Sequence, residues 1–253
     1  MLWKDCLCSS FPTIINPHLA MNLSAPYELP KIIGGQYILT SVVRELPHAV
    51  VYAATQKDLQ REVHLVSLRP EAKADPIQKN FFLETARLQA SIDHPSLSCA
   101  LELLYAEDTW HFARERVNGE PLDMMLANGR LLPAERLCTL LQQICRVCVF
   151  FDIRRISCRP LQPSLVYQMD FGGFRFENMA LAGDREPNAS QQYLAGAVNM
   201  LLPLLDKQSL YADHLLEVMH RMRGTASWQT LSAVLFDEEL VRLQMEISRL
   251  LNK

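Results

Sequence analysis

The sequence predicts an α+β protein in two lobes: a small five-stranded lobe with one helix, then a mainly helical lobe. Two observations carry this. Between Gln36 and Val117, five short segments rich in β-branched and aromatic residues are interrupted once by a helical pattern. After Asn118-Gly119 the apolar spacing becomes helical almost throughout. The expected division is a flexible tail over 1–33, a small lobe over 34–117 and a large lobe over 118–253.

The elements follow in order. The first thirty residues hold Pro12, Pro17, Pro26 and Pro30 with little periodicity, which reads as a loosely packed tail and a poor signal peptide. Strands are expected over 36–43, 49–55 and 62–68. A helix follows over 76–91, with Phe81, Phe82, Thr85, Leu88 and Gln89 along one side. Asp93-His94-Pro95 ends it, because the residue before proline avoids helical geometry. Strands over 98–105 and 109–117 complete the first lobe. In the second lobe, helices are expected over 121–127 and 133–152, with Pro133 in the first turn and Glu135 beside the positive helix start. Short strands over 165–168 and 174–177 flank the turn Met169-Asp170-Phe171-Gly172-Gly173. Helices over 190–205, 211–222, 227–235 and 237–251 end the chain, with Asp237 as the N-cap of the last. That last helix carries a stripe of Leu240, Leu243, Ile247, Leu250 and Leu251, expected to dock on its own lobe.

Composition excludes several functions. A chain of 253 residues can bury a sizeable core, and 49% apolar with 21% charged residues is ordinary for a globular protein. Its net charge of −3 gives no general attraction to nucleic acid or anionic membranes. The longest nearly apolar run, over 194–205, contains Asn199 and Pro203 and is too short to span a bilayer. Seven cysteines show no disulfide framework, and Cys145 and Cys148 lie on a helical face, as buried thiols would. A reducing cytoplasm is the expected compartment. The seven histidines have no metal-ligand spacing, and His94 is expected to brace the turn at Pro95.

The segment Cys158-Arg159-Pro160-Leu161-Gln162-Pro163-Ser164-Leu165 carries the most functional information. It resembles the catalytic loop H-R-D-L-x-x-x-N of the eukaryotic-like Ser/Thr protein kinases, which bacteria also possess. Other phrases resemble the same family in the same order. Val50-Val51-Tyr52-Ala53-Ala54 is similar to its second strand, and Arg61 through Pro70 to its third. Ile92-Asp93-His94-Pro95-Ser96-Leu97 is similar to the turn after its regulatory helix. Glu115-Arg116-Val117-Asn118-Gly119 resembles its hinge, and Gln191-Gln192-Tyr193-Leu194-Ala195-Gly196 its large-lobe core helix.

The resemblance implies a kinase fold from which the chemistry has gone, a pseudokinase. Pro160 stands where the family's proton-accepting Asp would be, and Leu165 where its magnesium-binding Asn would be. Val66 replaces the phosphate-pairing lysine, and Thr85 the helix glutamate that pairs with it. Asn178 falls at the metal-binding Asp. The phosphate-covering loop, Val43-Arg44-Glu45-Leu46-Pro47-His48-Ala49, has no glycine. The vestigial cleft would be lined by Val43, Val51, Arg114, Glu115 and Val117. Asp170-Phe171-Gly172 spells a magnesium motif but falls at the tip of the expected hairpin. Only twelve residues separate Asn178 from Gln191, which shortens the activation segment. No cofactor or metal is therefore expected, and ATP with magnesium is not the expected ligand. The expected role is a scaffold or regulator binding another protein. The alternative is an ATP-dependent kinase or nucleotide-binding module using the same cleft, with Asp170 as a relocated metal ligand.

Overall fold

The computed structural model describes residues 25–170, 172–185, 189–224 and 230–251. The small lobe is built on a six-stranded sheet of order β1-β2-β3-β4-β6-β5. Its strands are β1 (Lys31–Ile33), β2 (Tyr37–Glu45), β3 (Ala49–Gln56), β4 (Arg61–Leu68), β5 (Ala100–Ala106) and β6 (Thr109–Glu115). The five expected strands are all present. β1 is an addition, since residues 31–33 were expected in the tail. Ile33 is fully buried, and Tyr27 and Leu29 pack on the same cluster, so apolar burial holds 27–33 against the lobe.

The two faces of the sheet have separate duties. Val63 and Leu65 of β4 join Tyr37, Leu39, Val50, Tyr52 and Ala113 on one face. Val66 and Leu68 join Ala49, Val51 and Phe112 on the other, beneath the helix. This is the period-two alternation of a strand buried on both sides. A short helix α1 (Pro70–Ala74) precedes α2 (Pro76–Ala90). Asp75 caps α2, accepting from the Ile77 and Gln78 backbone N–H groups at 2.8 and 3.4 Å. The face of α2 that buries fully is Phe82, Leu83, Ala86 and Gln89, while Phe81, Thr85 and Leu88 are half-buried.

The large lobe holds β7 (Glu120–Pro121), α3 (Leu122–Ala127), α4 (Ala134–Ile153), β8 (Ser157–Cys158), β9 (Val166–Gln168), β10 (Phe174–Phe176), β11 (Ala180–Leu181), α5 (Ala189–Leu201), α6 (Ala212–Gly224) and α7 (Thr230–Leu251). α4 is its axis, burying Leu137, Leu140, Leu141, Ile144, Val147 and Phe151. Cys138, Cys145 and Cys148 lie on its buried face, and burial raises all three thiol pKa values, Cys138 to about 12. The five described cysteines are free thiols.

Two boundaries in this lobe differ from expectation. α5 stops at Leu201 and Leu202–Leu204 tightens into a 3-10 turn, because Pro203 cannot donate a backbone hydrogen bond. The two final helices are one, so Asp237 is not an N-cap. It lies within α7 and pairs with Arg146 of α4 at 3.1 Å. With neither Gly nor Pro between Leu235 and Asp237, nothing breaks the helix. Residues 227–229 of that expectation lie outside the described residues, as do residues 1–24 of the tail. α7 docks on its own lobe, burying Leu240, Leu243 and Ile247, with Gln142 donating to Gln244 at 2.8 Å. Leu250 remains exposed. Among the described residues, no helix is long and apolar enough to cross a membrane.

Candidate functional site

The lobes meet where Ser96, Leu97 and Ser98 run beside β10. Phe176 N–H donates to the Ser96 carbonyl at 2.7 Å, and Ser98 N–H to the Phe176 carbonyl at 2.8 Å. His94 braces this turn, accepting from the Ser96 N–H at 3.2 Å and meeting Phe150 edge-on at 5.1 Å. β9 and β10 form the expected hairpin, pairing Gln168 with Phe174 and Val166 with Phe176. Gly172 and Gly173, at φ of +83° and +81°, make its turn. Asp170 is exposed at that tip, and the tip lies against Arg136 of α4. Phe171 lies outside the described residues.

Glu177 sits at the opposite end of the hairpin, its backbone N–H held by the Leu165 carbonyl at 2.9 Å. Its side chain is 1% exposed and is the centre of a charged cluster that joins the lobes. Arg114 of β6 donates from Nη2 to Oε2 at 2.7 Å. Arg44 of β2 reaches the same oxygen at 3.4 Å, and Arg159 lies 3.5 Å from it. The Tyr167 hydroxyl donates to Oε1 at 3.1 Å. His64 Nδ1 stands 3.4 Å from Oε1, without hydrogen-bond geometry.

Local structure explains why these side chains converge. His64 and Arg114 are direct cross-strand partners, so they share a face. The β2–β3 ladder skips Val43, and this bulge places Arg44 opposite Val51. Val43, expected to line the cleft, is instead 42% exposed, and Arg44 takes the inward position. Val51 and Val117 are buried. Glu115 faces elsewhere: Arg175 grips its carboxylate in bidentate fashion, and the Cys99 N–H donates to it at 3.0 Å.

The electrostatics are those of a buried carboxylate among cations. Burial pushes the Glu177 pKa up, but Arg114, then His64 and Arg44, together hold it well below the usual range. Burial and neighbouring Arg114 lower the Arg159 pKa to about 9, still charged at neutral pH. Burial, then the Glu177 charge, raises the Tyr167 phenol, so it remains a donor.

The remaining expected positions do not form a constellation. Val66, 9% exposed, packs among Val51, Phe82, Leu83, Ala86 and Phe112. Thr85 accepts from the Ala182 N–H at 3.0 Å. Pro160 is exposed and Leu165 fully buried. Asn178 is buried, its Oδ1 accepting from the Ala180 N–H at 3.1 Å, so it shapes its own turn. The loop over residues 46–48 is also fixed: Arg69 donates to the Leu46 carbonyl at 3.1 Å and pairs with Glu45 at 2.8 Å. His48 meets Phe81 edge-on at 5.6 Å.

Sequence reasoning missed Arg44, His64, Tyr167 and Glu177 as one group. A signal existed. His64 is two residues from Val66 on the same strand face, Tyr167 two from Leu165, and Glu177 adjoins Asn178.

An antiparallel sheet with one main helix, followed by a mainly helical second lobe, defines a protein-kinase-like fold. The solved kinase domain of Mycobacterium tuberculosis PknI superposes with a TM-score of 0.63 at 14% identity, covering 87% of this chain and 99% of that one. In sequence, the chain is 28% identical over 153 residues to the serine/threonine-protein kinase PrkC of Bacillus subtilis, covering 60% of this chain and 24% of that protein. It is also 28% identical over 157 residues to the probable serine/threonine-protein kinase SCO3848 of Streptomyces coelicolor, covering 57% and 23%. The chain thus spans about a quarter of the length of these curated relatives. No family model matches it. The chain carries a kinase-like domain similar in sequence to parts of bacterial Ser/Thr kinases.

Proposed function

We propose that this kinase-like domain is catalytically inactive and acts by binding another protein, as a cytoplasmic scaffold or regulator. The observation that carries this reading is the Glu177 cluster. Side chains from β2, β4, β6 and the 159–177 segment meet in the space between the lobes. They join roof to floor through direct side-chain contacts. Phosphoryl transfer depends on charge neutralisation and positioning by lysine, metal and carboxylates. Val66, Pro160, Leu165 and Asn178 supply none of these at the corresponding positions. The net charge of −3 favours a protein over a nucleic acid as partner.

The test is a phosphotransfer assay with magnesium and ATP, run beside thermal denaturation. No transfer is expected, and no magnesium-dependent stabilisation. A nucleotide–magnesium ligand at a hundred times its dissociation constant would add about 2.7 kcal/mol, a shift easily seen. Transfer that survives purification controls would overturn the proposal. The alternative through Asp170 makes a separate prediction. Asp170 is exposed at a hairpin tip, remote from Glu177 along the strands. Asp170→Ala should therefore leave stability within about 0.5 kcal/mol and any nucleotide response unchanged. Loss of nucleotide binding in that variant would instead favour the relocated-metal enzyme.

A further inference from the structure

The Glu177 cluster is not electrically balanced. Three guanidinium groups, from Arg44, Arg114 and Arg159, face one carboxylate, leaving two positive charges uncompensated. The acids nearest in sequence are engaged elsewhere: Glu45 with Arg69 and Glu115 with Arg175. Both Arg114 and Arg159 bury an Nε–H that has no acceptor. Arg114 is 5% exposed at its side chain, so water does not readily supply the missing partner. The side chains of Arg44 and Arg159 are 20% and 21% exposed, so both reach solvent at the edge of the cluster.

We propose that the cleft binds a single phosphate-like oxyanion directly, without a metal, between Arg44 and Arg159 at the edge of the Glu177 cluster. Planar guanidinium forks suit such a group because they donate in parallel pairs. The partly dry surroundings strengthen the attraction relative to water. The site's charge is opposite to one built from acidic metal ligands, so magnesium on the anion would weaken binding rather than enable it. The inference goes beyond the inactive-scaffold reading and does not depend on the existence of a protein partner.

Titration calorimetry and thermal denaturation with inorganic phosphate, against chloride at matched ionic strength, test it. Millimolar phosphate in magnesium-free buffer is expected to raise the unfolding midpoint. Arg44→Gln should weaken phosphate binding about tenfold, the loss expected for a charge-assisted hydrogen bond. Arg159→Gln should do the same and serves if the first variant folds poorly. Glu177→Gln removes the competing carboxylate and should tighten binding, so phosphate stabilises that variant more than the parent. ATP without magnesium separates the sources: tighter binding than phosphate assigns a nucleotide, equal binding a free phosphate. No difference between phosphate and chloride, unchanged affinity in both arginine variants, or a magnesium requirement would overturn the site. Those results are independent of phosphotransfer, so failure here is distinguishable from failure of the inactive-domain reading.

Discussion

Replacing Glu177 with alanine should cost about 3–5 kcal/mol of folding stability, the range found when one partner of a buried ion pair is removed. Arg114 is the side chain left most exposed to the loss. It is buried, its 2.7 Å partner would be gone, and its Nε–H already lacks an acceptor. Arg44 and Arg159 would then repel it across a space no longer screened by the carboxylate. Equilibrium urea unfolding is the direct measurement. A loss below about 1 kcal/mol would show that the arginines turn to solvent and that the cluster does not join the lobes.

The same residue sets a pH dependence whose sign follows from its depressed pKa. In the unfolded chain a glutamate titrates near about 4.3. In the fold, Arg114, His64 and Arg44 hold Glu177 well below that despite its burial. Its contribution is therefore complete above the unfolded value and is lost as pH falls through the range between the two. The stability gap between the parent and Glu177→Gln should be widest near neutrality and narrow steadily below about pH 4. A gap independent of pH would mean that the lost stability comes from packing rather than charge.

Much of this arrangement was legible in sequence, for identifiable reasons. The five strands announced themselves because each is short, β-branched and bounded by polar breaks. The hairpin at Asp170 was readable because Gly172-Gly173 supplies the positive φ that its turn needs. β1 was not readable, since three residues in a proline-rich stretch show no alternation, and only tertiary burial of Ile33 reveals them. The bulge at Val43 was equally hidden. A one-residue slip exchanges the faces of a strand, and so Arg44, not Val43, enters the cleft. The Glu177 cluster joins residues up to 133 positions apart. Periodicity reports on neighbours along one element, so a partnership assembled from four segments lies beyond it.

Val66→Lys should be the other costly substitution, at about 3 kcal/mol or more. The sequence register equates Val66 with a lysine, but here the position faces Phe82, Leu83 and Ala86 of α2 and Phe112 of β6. Apolar contact links β4 and α2 at this point. A lysine there must shed its hydration or deprotonate, so its folded pKa falls. The sign of the pH effect is then the same as for Glu177, stability falling as pH falls, but the window is alkaline. The variant should lose stability as pH falls below the unfolded lysine value and regain it as pH rises toward about 10. Adding Thr85→Glu tests the register itself. Thr85 stands on α2 and accepts from the Ala182 N–H, so the glutamate alone should also destabilise. If the two positions face one another, the double variant should recover about 1 kcal/mol or more relative to the sum of the single losses. Additive losses would place Thr85 away from Val66, leaving the apolar β4–α2 contact as the only relation between the two elements at this point.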